Sequence, residues 1–358
     1  MIQTIPASSD IITVPCSYDQ DFYNSYRVYK VRDWINPSCL DFKSVSRLPE
    51  SVGFFQLNPS LINIRSLSDN DNGMFFLEGH PKWLVFYKLA KRNCPKAMKA
   101  IEELLSQGHT KFDAWYQLSR NGTAINILKE NIDKINWEAL HANPYAMEIL
   151  NLYPDKINTR WLSYNQSDAA LDFLEKHQEQ IDWKGLSSNT NPRAIKLLEA
   201  NQDLIFWEFL TYNSSAIGLL KNNLDKLITT GCWLGISSNV NAVDIMKDNL
   251  DKLWWCAVSR NPGAIQLLEA NPDKIAWGQL SLNPNPNAAA LLESNQDKIY
   301  WPALTTNSVI FGYDYEFLRK RMNATIRNEL MEVFYRYENI EHLKELQLWD
   351  GIHVGFSP

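Results

Sequence analysis

One segment of the chain, Asn261–Asn283, constrains the fold more than any other, because most of the sequence consists of imperfect copies of it. The segment reads NPGAIQLLEANPDKIAWGQLSLN, and its pattern N-P-x-A-I-x-L-L-E-x-N-x-D-K-I-x-W-x-x-L-S-x-N returns about every 22 residues. Self-similarity at a period of this size is the sequence signature of stacked repeats. We therefore interpret the chain as a series of similar units.

Each unit carries the start and stop signals of two short helices. The side chain of Asn261 can accept hydrogen bonds from the free amides of a first turn, and Pro262 fits the first helical position. Asn271 is predicted to end this helix in the left-handed conformation, and Asp273 is predicted to cap the second helix. The apolar positions that we expect to be buried are Ala264, Ile265, Leu267, Leu268, Ile275, Trp277 and Leu280.

Helices this short cannot be stable alone, because isolated helices below roughly 12–15 residues are marginal in water. Units of this kind must stack and bury a shared core. The sequence therefore predicts an all-α fold, an elongated α-solenoid of short helix pairs whose last repeat is covered by a helical C-terminal cap.

Tryptophan marks the register of the units, at spacings of 22, 24, 22, 24, 26, 22, 22 and 24 residues. In the unit near residue 160, Thr159 falls at the strict spacing and Trp161 lies two residues late, so this unit is predicted to be repacked. The positions are Trp115, Trp137, Trp161, Trp183, Trp207, Trp233, Trp255, Trp277 and Trp301.

Earlier units are degenerate but keep the same spacing. Phe42, Ile64 and Phe86 are assigned to the tryptophan position, and Val45, Leu67 and Leu89 follow three residues later, where the clear units carry leucine. Beyond Asn307, Asp314–Arg336 is predicted to form a long amphipathic helix and Asn339–Leu346 a shorter one. The predicted division is a non-repeat segment (1–30), degenerate repeats (31–112), regular repeats (113–307), and capping helices with a tail (308–358).

Composition argues against several functional classes. The 35 basic and 41 acidic residues are interspersed and give a net charge of -6, so nucleic acid is not an expected partner. No apolar run approaches the roughly 18 residues of a membrane span, so membrane insertion is not expected. The N-terminus lacks the features of a signal peptide, and the five cysteines are odd in number without metal-type spacing. These features favour a reducing cytoplasm, and no cofactor or metal is predicted.

The recurring polar residues admit both a functional and a structural interpretation. Junction asparagines such as Asn261 could form a polar ligand track, tryptophans such as Trp277 could stack bases, and Asp-Lys pairs such as Asp273-Lys274 could act in acid–base catalysis. Helix capping, core packing and solvated charge explain the same residues at the same period. The structural interpretation is favoured, since an active site is normally a unique constellation, and no catalytic motif is present. The chain is predicted not to be an enzyme.

The repeat pattern resembles a family of tandem-repeat proteins from large DNA viruses of algae and amoebae, of the mimivirus and chlorovirus kind. In those proteins the repeats often follow a Y-K-x-R-D-W-I opening, which Tyr29–Ile35 matches, and end in a D-Y-x-x-L-K-x-R segment, which Asp314–Arg321 resembles. The resemblance implies a viral origin and a helical repeat fold.

The favoured hypothesis is a non-enzymatic scaffold that binds host or viral proteins, located in the host cytoplasm or the virion. A structural virion component, such as a minor capsid protein, is the alternative, and an enzyme built on the N-terminal segment is a third. Partner choice is predicted to lie where the chemistry varies between units, just after the tryptophan and just after the Asn-Pro start. The predicted partner-binding residues are Glu138, Tyr145, Lys184, Arg193 and Glu208.

Overall fold

The computed structural model describes residues 29–67, 69–73, 89–91, 95–106 and 114–323. This part of the chain is mostly helical, which confirms the all-α prediction at the level of fold class. Its two strands are short: β1 spans Tyr29–Val31 and β2 spans Phe311–Tyr313.

The first helix of each structural unit begins at the tryptophan position, and we call it the tryptophan helix. Phe42 and Ile64 also begin such helices, which confirms the register predicted for the first two degenerate units, and Val45, Leu67 and Leu89 are fully buried. Phe86 lies outside the described residues. The tryptophan helices are Phe42–Val45, Ile64–Leu67, Trp115–Arg120, Trp137–Leu140, Thr159–Leu162, Trp183–Ser188, Trp207–Leu210, Trp233–Ser238, Trp255–Arg260, Trp277–Leu280 and Trp301–Leu304.

A second helix follows the tryptophan helix in most units, and 3-10 turns lie directly after some junction asparagines and before most of the next tryptophan helices. The second helices are Ser51–Leu57, Pro95–Ser106, Ile125–Glu130, Met147–Leu150, Asp168–Lys176, Pro192–Ala200, Ile217–Lys221, Val243–Lys247, Ile265–Glu269 and Ala288–Glu293, with additional helices at Leu224–Thr230 and Tyr315–Arg321. The 3-10 turns are Pro37–Cys39, Pro59–Leu61, Asp71–Gly73, Gly122–Ala124, Ile132–Lys134, Pro154–Lys156, Gln178–Gln180, Gln202–Leu204, Leu250–Lys252, Pro262–Ala264, Pro272–Lys274, Gln296–Lys298 and Ser308–Ile310.

Two local predictions were wrong. Asn271 is not left-handed, since its φ is -136° and its ψ is 61°. Its side-chain amide instead donates to the carbonyl of Leu267 at 2.8 Å, which satisfies one of the carbonyls that a helix end leaves free. Asp273 lies inside the 3-10 turn rather than at a cap, and the next helix begins only at Trp277.

The core runs through all the regular units. In the central unit Ala264, Leu268 and Leu280 are fully buried, and Ile265, Leu267 and Ile275 nearly so. The tryptophans are mostly half-buried and pack against this core, while Trp233 is buried. Thr159 begins its helix, and Trp161 is 41% exposed, so the predicted repacking of that unit is confirmed.

Buried asparagines join each unit to the one before it. The Asn261 side-chain oxygen accepts from the amide of Gly263 at 2.9 Å, as the predicted capping requires. Its Nδ2 also donates to the carbonyls of Ser237 and Asn239 in the preceding unit, at 3.0 and 3.1 Å. The same pair of inter-unit bonds is made by Asn70, Asn143, Asn165, Asn189, Asn213, Asn239, Asn283 and Asn307.

A row of buried hydroxyls makes a second inter-unit link. The Ser259 hydroxyl donates to the carbonyl of Trp255 at 2.7 Å and accepts from the amide of Ala276, in the next unit, at 2.9 Å. Ser46, Ser119, Ser163, Ser187, Ser237 and Ser281 repeat this arrangement. These polar groups are buried and fully used within the fold, which is how such groups avoid a desolvation penalty.

The last regular unit contacts the first. Thr305, at the hydroxyl position of its unit, accepts from the amide of Asp41, which directly precedes the tryptophan position of the first unit. β1 pairs antiparallel with β2, with Lys30 opposite Gly312. We call this contact between the ends of the repeat series the seam.

The seam differs from the elongated body that the sequence predicts. Ser308 donates to a carboxylate oxygen of Glu50 at 2.6 Å, and Arg32 Nε donates to the carbonyl of Val309 at 2.8 Å. The face of the last unit that the sequence leaves open is therefore in contact with the chain's own first unit. Within the predicted C-terminal helix the structure shows a helix at Tyr315–Arg321, and the part after Asn323 and the second predicted helix lie outside the described residues.

Candidate interaction surfaces

The second residue of each tryptophan helix is exposed in every unit where its side chain is described, and we call these positions the second-position row. The residues three and four positions after the first residue of the helix, such as Leu280 and Ser281 after Trp277, are buried. The second residue lies on the opposite, outer side of the helix. The row contains Lys43, Tyr116, Glu138, Arg160, Lys184, Glu208, Leu234, Cys256, Gly278 and Pro302.

Three of the predicted site residues, Glu138, Lys184 and Glu208, belong to this row and are exposed. Lys184 Nζ lies 4.5 Å from the centre of the Phe209 ring in the next unit, a cation–π distance. The row thus presents acidic, basic, aromatic and apolar side chains in succession. The binding role of these residues stays a prediction.

The other two predicted residues lie beside the junction asparagines and are not brought into the row. Tyr145 is 54% exposed, and its ring lies beside Gly122 of the preceding unit, where an added Cβ would be 3.3 Å away. Arg193 is half-buried and binds Glu175 at 2.6 Å and Asp172 at 2.8 Å. These carboxylates raise the pKa of the Arg193 guanidinium, Glu175 first, so Arg193 is a structural ion-pair partner rather than a free position.

A groove of about 560 Å³ crosses three units beside the row. Its aromatic walls are Tyr116, Trp161 and Tyr164, each more than 40% exposed, and Ala139 and Ala142 form part of its lining. The groove exists because the middle unit carries small side chains where its neighbours carry large ones. Sequence reasoning missed it, although the displaced Trp161 was a signal.

A second cavity, of about 760 Å³, lies at the seam, and we call it the seam cavity. Residues from β1 and the following turn, from β2, and from the loop that contains Pro284 and Pro286 line it. Aromatic and charged side chains share its walls, including Tyr29, Trp34, Tyr313 and Glu293. Nothing in the repeat pattern predicts this convergence, because all three segments depart from the repeat.

The recurring Asp-Lys pairs have structural partners. Asp155 binds Lys156 at 2.9 Å, and this hydrogen bond lowers the pKa of Asp155. The lysine ammonium of such pairs lies over the ring of the tryptophan that begins the same structural unit, 5.1 Å from the ring centre for Lys252 and 4.6 Å for Lys298. The predicted first-turn lysine therefore covers the outer face of a tryptophan, which the sequence did not indicate.

Among the described residues no group of three His, Cys, Asp or Glu side chains is arranged to hold a metal ion. In the same part of the chain no helix combines the length and apolar content needed to cross a membrane. No family model, curated protein or solved structure matches the chain.

Proposed function

We propose that the chain is a non-enzymatic protein-binding scaffold, an α-solenoid of helical repeats whose ends meet at the seam, which selects its partner through the second-position row. The observation that carries the proposal is the contrast between the buried polar positions and the exposed second-position row. Buried asparagines and hydroxyls recur with the same partners from unit to unit, whereas the exposed row changes in charge and size. Exposed positions that the repeat packing does not require can vary in sequence, and in repeat proteins such surfaces bind other proteins.

The periodic polar residues support a non-catalytic role. The Asp-Lys pairs bind each other or cover tryptophan rings, and the junction asparagines use their side-chain donors and acceptors within the fold. The viral origin implied by the repeat motif belongs to this proposal, and the partner is then a host or viral protein in the infected cell or the virion.

The test is charge reversal along the row, with Glu138→Lys, Lys184→Glu and Glu208→Lys combined in one chain. The matched control reverses three exposed charges on second helices, with Glu130→Lys, Lys196→Glu and Glu199→Lys. Both variants keep the core and the hydrogen bonds of the buried asparagines and hydroxyls, so their circular dichroism and melting profiles should match those of the native chain.

Affinity capture from infected-cell extract should then recover the native partner with the control and lose it with the row variant. An unchanged partner list for the row variant would remove this surface from consideration. Co-recovery with shell proteins in stoichiometric amounts from purified particles would instead favour a structural virion component.

A further inference from the structure

The seam cavity is the place in the described chain where the non-repeating segments converge. The turn after β1 contributes Asp33 and Trp34, the loop after Asn283 contributes Pro284 and Pro286, and the segment after β2 contributes Tyr315. Glu293 is at a repeat position, but β1, β2 and the loop with Pro284 and Pro286 have no counterpart in the other described units, so this combination is specific to one place. A binding site is normally such a unique constellation.

Aromatic rings make up much of the cavity wall. Tyr29 and Tyr313 stack with ring centres 5.1 Å apart, and Tyr315 lies 6.1 Å from Tyr313. Tyr315 is 74% exposed, so a ring face is open to an incoming group. The faces of aromatic rings attract ammonium and guanidinium cations.

The charges on the wall leave an excess of carboxylate. Lys30 is neutralised by Asp33 at 2.8 Å. The hydrogen bond to Asp33 raises the pKa of Lys30, and the negative charges of Asp314 and Glu316 raise it further.

Glu316 is paired with Lys320 at 2.7 Å, which leaves three charged groups among the wall residues that the structure describes. Glu50 accepts a hydrogen bond from Ser308 but has no cationic partner in the described chain, and Glu293 makes no ion pair there. Among the described wall residues Arg32 is the one cation left, so two carboxylates face one positive charge there.

Trp34 adds an independent observation. Its indole Nε1 is buried and has no hydrogen-bond partner, the one such side-chain atom among the described residues. Trp34 lines the cavity, so the environment of its indole ring reports on any group that enters there.

We propose that the seam cavity binds a lysine or arginine side chain of a protein partner, with the cation held against the tyrosine faces and the carboxylates of Glu50 and Glu293. This proposal rests on the proposed scaffold function, because the cation is supplied by the scaffold's protein partner. The seam cavity and the second-position row are separate surfaces, so the proposal for one can be wrong while the proposal for the other holds.

The test measures binding of defined probes to the isolated full chain by fluorine NMR after labelling with 5-fluorotryptophan. The Trp34 resonance is assigned with Trp34→Phe. Nα-acetyl-lysine amide and Nα-acetyl-arginine amide supply the cation on a peptide unit, Nα-acetyl-norleucine amide is the uncharged match, and n-butylammonium is the free amine.

The lysine or arginine amide should shift the Trp34 resonance saturably, and the norleucine amide should not. Glu293→Gln and Tyr315→Leu should each weaken binding about two- to fivefold, as expected for one partly exposed ionic or cation–π contact. The matched controls, Glu269→Gln at the same repeat position of the preceding unit and Tyr212→Leu at an exposed site elsewhere, should leave it unchanged.

Equal binding of the norleucine amide, or no effect of Glu293→Gln, would overturn the proposal. Binding of n-butylammonium without binding of either amide would also overturn it, because the cation would then not be a protein side chain. Since this titration needs no partner protein, its failure is distinguishable from failure of the capture experiment on the row.

Discussion

The backbone amide of Asp41 donates to Oγ1 of Thr305 at 2.9 Å, although 264 positions separate the two residues. The bond is the same one that Ala276 makes to Ser259 between adjacent units. The first unit thus occupies the place that the next repeat would take after the last one. At this junction the asparagine position of the first unit holds Leu48, so the paired Nδ2 bonds found elsewhere are replaced by the contacts of β1 with β2.

The junction asparagines should contribute strongly to stability. Asn261→Ala removes three hydrogen bonds and should lower the free energy of unfolding by roughly 2–4 kcal/mol, at about 1 kcal/mol for each bond plus the cost of unpaired buried groups. Urea denaturation measures this. Asn126→Ala, on the exposed side of a second helix, should change the free energy of unfolding by less than about 0.5 kcal/mol. Equal losses from Asn126→Ala and Asn261→Ala would show that the inter-unit bonds of the junction asparagines do not stabilise the fold.

Two adjacent tryptophans provide a direct test of the core assignment. Trp255 is half-buried against the core, whereas Trp254 is 57% exposed. Trp255→Ala should cost about 2–4 kcal/mol, somewhat below the range for a fully buried ring, and Trp254→Ala should cost little. Thermal melts of both variants give the comparison. A larger loss from Trp254→Ala would contradict the assignment.

Two glycines of the tryptophan helices should respond in opposite directions to alanine. A Cβ on Gly235 would overlap Thr211, which is fully buried, so Gly235→Ala should destabilise by about 1–3 kcal/mol through overpacking. A Cβ on Gly278 meets nothing within 4 Å, so Gly278→Ala should stabilise by roughly 0.5–1 kcal/mol through helix propensity. Chemical denaturation measures both signs, and the same sign for both would show that the packing is different.

His141 should make the chain sensitive to mild acid. It replaces the serine of its unit, with Nε2 accepting from the amide of Asn158 at 2.9 Å and Nδ1 bonded to the carbonyl of Trp137 at 2.7 Å. Protonation of Nε2 would remove the first bond, and burial lowers the pKa of His141 from its ordinary value of 6.5. The folded chain then binds this proton less tightly than the unfolded chain does.

The stability associated with His141 is therefore fully present above pH 6.5 and is lost as the pH falls below it, by at most about 1.4 kcal/mol per pH unit. His141→Ser restores the hydroxyl of the other units and should remove this component. Denaturation curves from pH 7.5 to 5.5 test the prediction. An identical pH dependence for both chains would assign the effect to other groups.

Local sequence signals predicted the parts of the fold that depend on single units. Thr159 begins a helix where the spacing places it, and Asn261 caps the turn that follows it, because both effects involve only neighbouring residues. The error at Asn271 is also local. Its side-chain amide donates to the Leu267 carbonyl at the end of the helix, so a left-handed residue is not needed there.

The longer-range features depend on how each unit is rotated against the next. That rotation decides whether the Asn261 amide reaches the carbonyls of the unit before it, and, summed over the series, whether Thr305 reaches Asp41. No single segment encodes it. The groove beside Trp161 and the seam cavity follow from the same geometry, which is why the sequence indicated their residues without bringing them together.

The most direct test of this account is the distance between the ends of the repeat series. Spin labels at Lys43 and Thr306, both exposed, would be placed in a chain whose native cysteines are replaced by serine. Double electron–electron resonance should give a distance of about 20–25 Å, the span of roughly two packed helices. A control pair at Lys43 and Glu208 should be clearly farther apart. An open stack of about a dozen units would separate Lys43 from Thr306 by on the order of 100 Å, and that result would contradict the closure of the chain at the seam.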